Sequence, residues 1–273
     1  MSITADYHMH SNHSGDSQMD MSDMIRTLID RGVTDMCFTE HYDADYVYDQ
    51  PGSIPGQFDL NLPSYQKEFF DIRERFKDKL NINFGVELGI QEHLVDMLYE
   101  YSKSNDFDFI IASNHLCHRK DPYYSYFHEG RSDKEAFLEY FESILESVTS
   151  YNDYDVFGHI DYAVRYSPNM DNDYHYRDYA DVLDEILKTI INNGHGIEIN
   201  SKGLRVGLKC ANPSNEILKR YRELGGEIIT IGSDAHSLPE LAWGLDKIQD
   251  ILSDTGFKYY TTFSKRKPEF HKI

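Results

Sequence analysis

Two histidines near the start of the chain, separated by one residue, are the most informative feature of the sequence. His8 and His10 follow a short apolar segment, residues 3–7, that we predict to be a β-strand, and Asp16 lies six residues after His10. Because side chains on a strand alternate with a period of two, both imidazoles leave the strand end on the same side. Two neutral imidazoles held in this way form half of a metal site. A polar surface loop that happens to be rich in histidine is the alternative interpretation.

Similar polar side chains recur where other predicted strands end. Amphipathic helical patterns separate these short apolar strands, so strand and helix alternate along the chain. We expect helices to begin with a cap at Ser22, a capping box at residues 132–135, a cap and first turn at residues 212–213, and Glu240, and we expect a last strand at residues 257–263. The side chains at or just after the strand ends are His8, His41, Glu87, His115, His159, Asn200 and Asp234. One histidine at such a place is usually an ordinary surface residue, but accident is a poor explanation for a pattern that recurs at nearly every strand.

Seven strand-then-helix units without a linker or an internal repeat predict one α/β domain over residues 1–273. Strict alternation favours parallel strands joined by helical crossovers, and a closed TIM-like barrel fits the series better than an open sheet. Closure would bring the polar strand ends together at one mouth, where barrel enzymes keep their active sites.

The candidate metal ligands at that mouth combine imidazoles with carboxylates. They are His8, His10, Asp16, His41, Glu87, His115, His159, Asp234 and His236. A tetrahedral ion takes about four ligands, so this set is too large for one ion and fits two or three. Mixed nitrogen and oxygen ligands favour zinc, manganese or iron over calcium or a thiolate-bound metal.

Three predicted loops surround the mouth. Residues 42–63 contain three prolines and form a long loop of the kind that is often a functional lid. Residues 116–130 are rich in polar aromatic side chains, including Tyr123 and Tyr124. Residues 201–212 carry Lys202 and Arg205, which belong to the densest positive cluster outside the C-terminal tail.

The composition narrows the range of partners. The formal net charge of −20 disfavours binding to nucleic acid or to an anionic membrane. The three cysteines are odd in number and far apart, which fits a reducing compartment, and no segment resembles a signal peptide or a membrane span. We therefore expect a cytoplasmic protein that acts on a small molecule; nothing in the sequence indicates its oligomeric state.

The motifs resemble those of the polymerase and histidinol phosphatase (PHP) family of metal-dependent phosphoesterases. The resemblance lies in residues 8–10 (His-Met-His), 39–41 (Thr-Glu-His), 113–115 (Ser-Asn-His) and 233–236 (Ser-Asp-Ala-His). Residues 127–132, 158–166 and 200–205 are similar to the histidinol-phosphate phosphatase branch. The resemblance covers essentially the whole chain and implies a distorted (β/α)7 barrel with three divalent metal ions, with zinc favoured over manganese or iron.

The resemblance also implies how the ligands are shared among the three ions. The first ion would be held by His8, His10, Glu87 and Asp234, the second by Glu87, His115 and His159, and the third by Asp16, His41 and His236. Some relatives have a histidine at the position of Asp16, so His13 is the alternative to Asp16 in the third set.

The implied reaction is hydrolysis of L-histidinol phosphate to L-histidinol and phosphate, a step of histidine biosynthesis, by a hydroxide that bridges two metal ions. Ions about 3.5–4 Å apart can activate such a water and stabilise both the attacking and the leaving oxygen. The alternatives are a phosphoesterase that acts on another small ester or nucleotide, and a non-catalytic domain stabilised by metal. The second alternative predicts missing ligands, whereas every expected ligand type is present.

Other residues near the predicted strand ends are candidates for binding substrate or for donating a proton. We expect Arg165 and Arg205 to hold the phosphate, because an arginine fork matches phosphate oxygens. Asn200, Lys202 and Tyr123 are further candidate substrate contacts. The proton for the leaving group is assigned to Asp161, His118 or a metal-bound water, and His118 is also a candidate substrate contact.

Overall fold

A computed structural model describes residues 3–273 and contains a seven-stranded parallel sheet whose strands follow one another in chain order. The strands are β1 (Ala5–Asp6), β2 (Asp35–Tyr42), β3 (Asn81–Gly89), β4 (Phe109–Ser113), β5 (Val156–Phe157), β6 (Gly196–Asn200) and β7 (Ile229–Gly232). The first and last strands meet, since the Tyr7 N–H donates to Ile231 O at 2.8 Å. The predicted α/β barrel is confirmed, and it is distorted because β1 and β5 have only two residues each.

Helices cover the outside of this barrel. They are α1 (Met21–Asp30), α2 (Leu62–Phe76), α3 (Val95–Lys103), α4 (Asp133–Ser150), α5 (Ala180–Asn192), α6 (Lys202–Arg205), α7 (Asn215–Glu223) and α8 (Leu245–Asp254). Short 3-10 turns span Glu92–Leu94, Ser125–Phe127, Tyr162–Tyr166, Tyr176–Asp178 and Leu238–Glu240. Within residues 3–273, no helix is both long and apolar enough to cross a bilayer.

The helix starts show where local sequence signals succeed. The predicted capping box before α4 is present, since Ser132 and Glu135 bind each other's backbone N–H groups. The predicted cap of α1 is wrong: Asp20, not Ser22, is the cap, because its carboxylate accepts the Ser22 N–H at 2.8 Å. Aspartate, like serine, is a strong capping residue, so the two candidates compete locally.

Two later helix starts differ from the predictions for tertiary reasons. We expected residues 212–213 to open α7, but the Asn212 N–H donates to Asn200 O at 3.0 Å and its side chain binds Asp161, so the helix begins at Asn215. We expected α8 to begin at Glu240. Gly244 instead adopts φ 72°, which interrupts the helical path and delays α8 until Leu245.

A C-terminal hairpin closes the amino end of the barrel. The predicted strand at residues 257–263 is β8 (Tyr259–Ser264), and it pairs antiparallel with β9 (Lys267–Lys272), which we did not predict. Phe263 packs against Phe109 with ring centroids 5.0 Å apart, and its carbonyl accepts the Tyr7 hydroxyl at 3.0 Å. The carboxyl end of the barrel is therefore the end left open to a ligand.

Candidate metal centre

The predicted ligands converge at the carboxyl end of the barrel. His41 lies in β2 directly opposite Glu87 in β3, as paired positions of neighbouring strands. His8, His115, His159 and Asp234 each lie two residues beyond a strand end, so the strand alternation that directs side chains into the barrel continues past the last ladder hydrogen bond.

Glu87 is the fully buried centre of the cluster, and five imidazoles surround it. Its Oε2 atom lies 3.1 Å from His8 Nε2, 3.1 Å from His41 Nδ1 and 3.5 Å from His10 Nε2. Its Oε1 atom lies 3.2 Å from His115 Nε2 and 2.9 Å from His159 Nε2. This carboxylate is therefore placed to bridge two groups of ligands.

Asp16, His41 and His236 form a second side of the cluster. Asp16 Oδ2 lies 3.1 Å from His236 Nε2 and 3.5 Å from His41 Nε2. His13 points elsewhere, since its Nε2 pairs with Glu68 Oε2 on α2 at 3.0 Å. The structure thus brings Asp16, and not His13, to the cluster.

The cluster leaves buried polar atoms without hydrogen-bond partners, because several pairs at short distance, such as His8 Nε2 and Glu87 Oε2, are not aligned for a hydrogen bond. These atoms are His8 Nε2, His10 Nε2, His41 Nδ1, Glu87 Oε2 and His159 Nδ1. A buried polar group without a partner costs about 1–3 kcal/mol, so several in one place require a compensating ligand. Ligand atoms of sets such as His8, His10 and Glu87 lie within 4.8 Å of one another, and their chemistry fits divalent cations of the zinc type.

Proton affinities in the cluster point to the same conclusion. Burial alone raises the pKa of the Glu87 carboxyl, but the imidazoles of His8, His115 and His41 outweigh burial and hold that pKa well below its usual range. Burial lowers the pKa of His41, yet Asp16 and Glu87 raise it to about 10. Asp16 and Glu87 thus draw a proton onto His41, and a divalent cation would replace that proton.

Two carboxylates outside the predicted set orient the imidazoles. Glu198 on β6 pairs with His8 Nδ1 at 2.6 Å, and Asp43 pairs with His115 Nδ1 at 2.7 Å. Both carboxylates bind the Nδ1 atom of their histidine, so the Nε2 atom faces Glu87. Carboxylates outside a metal site commonly orient metal-binding imidazoles in this way. We did not predict either residue. Glu198 carried the same signal as Glu87, a carboxylate within a buried apolar strand.

Glu40 fixes the loop that carries Asp16. Its carboxylate accepts the hydroxyl groups of Ser11 and Ser14, each at 2.6 Å. Gly15 lies against Gln57 so closely that a Cβ atom would meet Gln57 O at 2.0 Å. Both contacts place Asp16 beside His236.

Three predicted substrate residues gather on Asp234. Its carboxylate lies 2.9 Å from Arg165 Nη1, 2.9 Å from Lys202 Nζ and 3.3 Å from Asn200 Nδ2. Arg165 is buried, with Nη2 left without a partner, whereas Lys202 reaches the surface of the cavity above the cluster. Arg205 instead donates to the carbonyl groups of Ser233 and Asp234, at 2.9 and 3.2 Å.

The two predicted proton donors lie away from the cavity wall. His118 is about half exposed and pairs with Glu146 at 2.9 Å, beside a separate cavity of about 170 Å³. The Asp161 carboxylate binds the Asn212 side chain and the Ser214 N–H, and burial raises its pKa to about 6. The structure therefore brings neither residue to the metal cluster.

A cavity of about 610 Å³ lies above the cluster and is open to solvent. The predicted loops form much of its wall: Tyr46, Tyr48 and Phe58 come from the first loop, and Tyr123 and Tyr124 from the second. The cavity therefore combines a floor of metal-binding side chains with aromatic walls, and its volume suits a small molecule.

Comparison with known proteins identifies the family. Residues 6–202 match the PHP domain. The histidinol-phosphatase of Lactococcus lactis is 32% identical over 268 residues, which cover 98% of this chain and 97% of that protein. The histidinol-phosphatase of Saccharomyces cerevisiae is 23% identical over 296 residues, covering 90% of this chain and 88% of that protein.

Solved structures agree. The crystal structure of the histidinol phosphate phosphatase from Lactococcus lactis, complexed with zinc, L-histidinol and phosphate, has a TM-score of 0.87 and 31% identity. The likeness covers 97% of this chain and 98% of that one. A crystal structure from Listeria monocytogenes, with a TM-score of 0.75 and 19% identity, covers 89% of this chain and 99% of its own and shares the fold. The chain belongs to the PHP domain family.

Proposed function

We propose that this protein is a metal-dependent phosphatase that hydrolyses L-histidinol phosphate to L-histidinol and phosphate. The observation that carries this function is the cluster around Glu87, in which metal-binding side chains form the floor of a cavity of about 610 Å³. The Lactococcus lactis histidinol-phosphatase, alike over nearly the whole chain, supports the identity of the ester.

We propose three divalent ions, with zinc preferred because the similar crystal structure is complexed with zinc. His8, His10, Glu87 and Asp234 would hold the first, Glu87, His115 and His159 the second, and Asp16, His41 and His236 the third. The distances from Glu87 support the first two sets, and those from Asp16 support the third. When bound, such ions supply an activated water and positive charge at the phosphate oxygens.

The remaining roles belong to the side chains around Asp234. We assign phosphate binding to Lys202, which lines the cavity. We also assign it to Arg165, which is not part of the lining but lies directly behind Asp234, with its buried Nη2 atom left without a partner. Arg205 is a positioning residue, because it holds the backbone of Asp234, which has the left-handed φ of 51°.

No side chain is needed as the nucleophile in this proposal. Cys37 and Cys117 are buried, and neither is among the residues that line the cavity. Because Asp161 and His118 also lie outside the cavity lining, we assign the leaving-group proton to water in the cavity. The cytoplasmic location expected from the sequence stays a prediction.

Phosphate release from a panel of monoesters tests the function. The metal-loaded protein should hydrolyse L-histidinol phosphate with a kcat/KM at least tenfold higher than for nucleoside monophosphates or sugar phosphates. The same protein stripped with a chelator should be inactive and should recover when the metal is returned. A higher kcat/KM for a nucleotide would favour the alternative ester class, and no turnover of any ester would contradict the phosphatase.

A further inference from the structure

Asp121 is a buried carboxylate in the cavity wall that the proposed chemistry does not use. It is 6% exposed and lies in the loop after β4, among the residues that line the cavity. The other lining carboxylates are Asp16 and Asp234, which belong to the proposed metal sites, and Asp43, which orients His115. Asp121 is therefore the lining carboxylate that serves neither a metal site nor an imidazole.

All the partners of Asp121 within the described chain are neutral. Its carboxylate accepts the Tyr46 hydroxyl, the Tyr123 N–H at 2.8 Å and the Tyr162 hydroxyl at 3.4 Å. No lysine or arginine among residues 3–273 forms an ion pair with it. Neutral hydrogen bonds offset only part of the desolvation cost of a buried carboxylate, and a positively charged ligand would reduce the remainder. Burial indeed raises the pKa of Asp121 above its usual value.

The side chains around Asp121 also suit a cation. Tyr46 and Tyr162 hold the carboxylate while their rings line the cavity, and Tyr166 packs on Tyr162 with centroids 5.0 Å apart. The faces of such rings attract ammonium groups. Carboxylate and rings together would bind an ammonium group more strongly than either alone.

The position of Asp121 relative to the metal cluster sets the length of the ligand. The Tyr162 ring lies between them, with its centroid 5.2 Å from the His159 ring and 5.6 Å from the His115 ring. A small molecule with phosphate at the metal cluster and an ammonium group a few bonds away would span this one ring. Lys202, which binds Asp234 and lines the same cavity, provides the positive charge suited to phosphate.

We propose that Asp121, with Tyr46 and Tyr162, binds the protonated amine of the alcohol part of the substrate. This inference rests on the proposed function and adds to it the basis of substrate choice. The site selects phosphate monoesters of amino alcohols. An ester with an uncharged alcohol part would leave the Asp121 carboxylate buried without a cation, and an ester with an anionic alcohol part would be repelled.

The test compares Asp121→Asn with the parent protein, using L-histidinol phosphate and p-nitrophenyl phosphate, an ester whose alcohol part carries no charge. The ratio of kcat/KM for the two esters should fall roughly 10–100-fold in the variant, as expected for loss of one buried charge pair. Asp171→Asn is the matched control, because Asp171 is also buried and binds the Lys209 N–H at 2.7 Å but does not line the cavity. The control should keep the parent ratio.

Calorimetry measures the binding of the alcohol part and of phosphate separately, without turnover. In Asp121→Asn the Kd of L-histidinol should rise about tenfold or more, whereas the Kd of inorganic phosphate should stay within about twofold. An unchanged ester ratio together with an unchanged Kd for L-histidinol would overturn the role of Asp121.

Two further outcomes distinguish this inference from the proposed function. If the variant does not fold, the parent is tested with the ester in which hydrogen replaces the amine. An equal kcat/KM for that ester and L-histidinol phosphate would overturn the amine site. If the parent hydrolyses no ester, the phosphatase fails, while L-histidinol binding that depends on Asp121 would still support the amine site.

Discussion

Both ends of the barrel bury carboxylates, but only at the amino end does the protein chain itself provide the hydrogen-bond partners of these carboxylates. At the amino end, Asp155 accepts the Ile110 N–H at 2.7 Å and Arg266 Nε at 2.6 Å. Asp108 there accepts the Phe84 and Lys265 N–H groups at 3.1 and 3.2 Å. At the carboxyl end, buried atoms of the imidazoles and of Glu87 remain without partners.

This difference separates stability from function. The chain alone supplies the partners of Asp155 and Asp108 at the amino end, so these carboxylates serve the fold. The carboxyl end contains many metal-binding side chains whose buried atoms lack hydrogen-bond partners. This arrangement is favourable only when cations bind there. Changes at the two ends should therefore give different results in assays of unfolding and of turnover.

The largest expected effect is the loss of turnover at the carboxyl end. Glu87→Gln should lower kcat/KM for L-histidinol phosphate by about 10³-fold or more, because the variant loses the charge shared by two ligand sets. Steady-state kinetics with measured metal content is the assay. Glu68→Gln is the control and should leave kcat/KM within about twofold, since among residues 3–273 Glu68 forms an ion pair with His13 alone. A well-folded Glu87→Gln protein with the parent rate would show that Glu87 does not serve the metals.

The second-largest effect is expected from metal removal, which should lower the free energy of unfolding. An ion present at about a thousandfold excess over its Kd stabilises the folded state by about 4 kcal/mol, so chelation should lower the Tm by roughly 8–16 °C. Thermal unfolding with and without a chelator measures this shift. An unchanged Tm would mean that the carboxyl end, like the amino end, needs no external partner.

A smaller effect is expected from the amino end. Arg266→Ala removes a charged partner of Asp155, and we expect the free energy of unfolding to fall by about 2 kcal/mol. The exposed neighbour Lys267 provides the control, Lys267→Ala, with a change below about 0.5 kcal/mol. The kcat/KM of the folded Arg266→Ala protein should stay at the parent value. A large loss of turnover at full metal content would contradict the separation of the two ends.

The smallest effect is the pH dependence of metal binding. Without metal, Asp16 and Glu87 raise the pKa of His41 to about 10, and carboxylates raise those of His8 and His115. These pairs stabilise the metal-free fold below the unfolded pKa of about 6.5, and the contribution is lost as pH rises towards 10. Because bound metal displaces the protons, metal affinity should increase from pH 6 to 9. Calorimetry in two buffers should detect released protons, and a pH-independent affinity without release would contradict this view.

Sequence patterns predicted which side chains converge at the carboxyl end of the barrel, because few physical rules were needed. Parallel strands place their carboxyl ends together, and alternation directs residues such as His115 and His159 inward, so strand ends alone located most of the cluster. Resemblance to a known family supplied the division of these side chains among three ions, which stays a prediction. Both rules act locally, and the structure agrees with them to within a few residues.

The missed features depend on long-range packing. Arg205 lies in the predicted loop, but the backbone of Asp234 captures its guanidinium, a contact between residues far apart in sequence. Strand β9 is exposed along most of its length and therefore lacks an alternating apolar pattern, so its pairing with β8 left no periodic signal in the sequence. In the sequence, nothing distinguishes Asp121 from other loop aspartates, and only the folded structure places it beside Tyr46, Tyr123 and Tyr162.

The most direct test of the account is the number of ions that one chain binds. Elemental analysis after reconstitution should give close to three divalent ions per chain in the parent protein and in His13→Gln, and close to two in Asp16→Asn. A stoichiometry at or below one in the fully reconstituted parent would contradict the claim that the carboxyl end is built for cations that the chain itself does not supply.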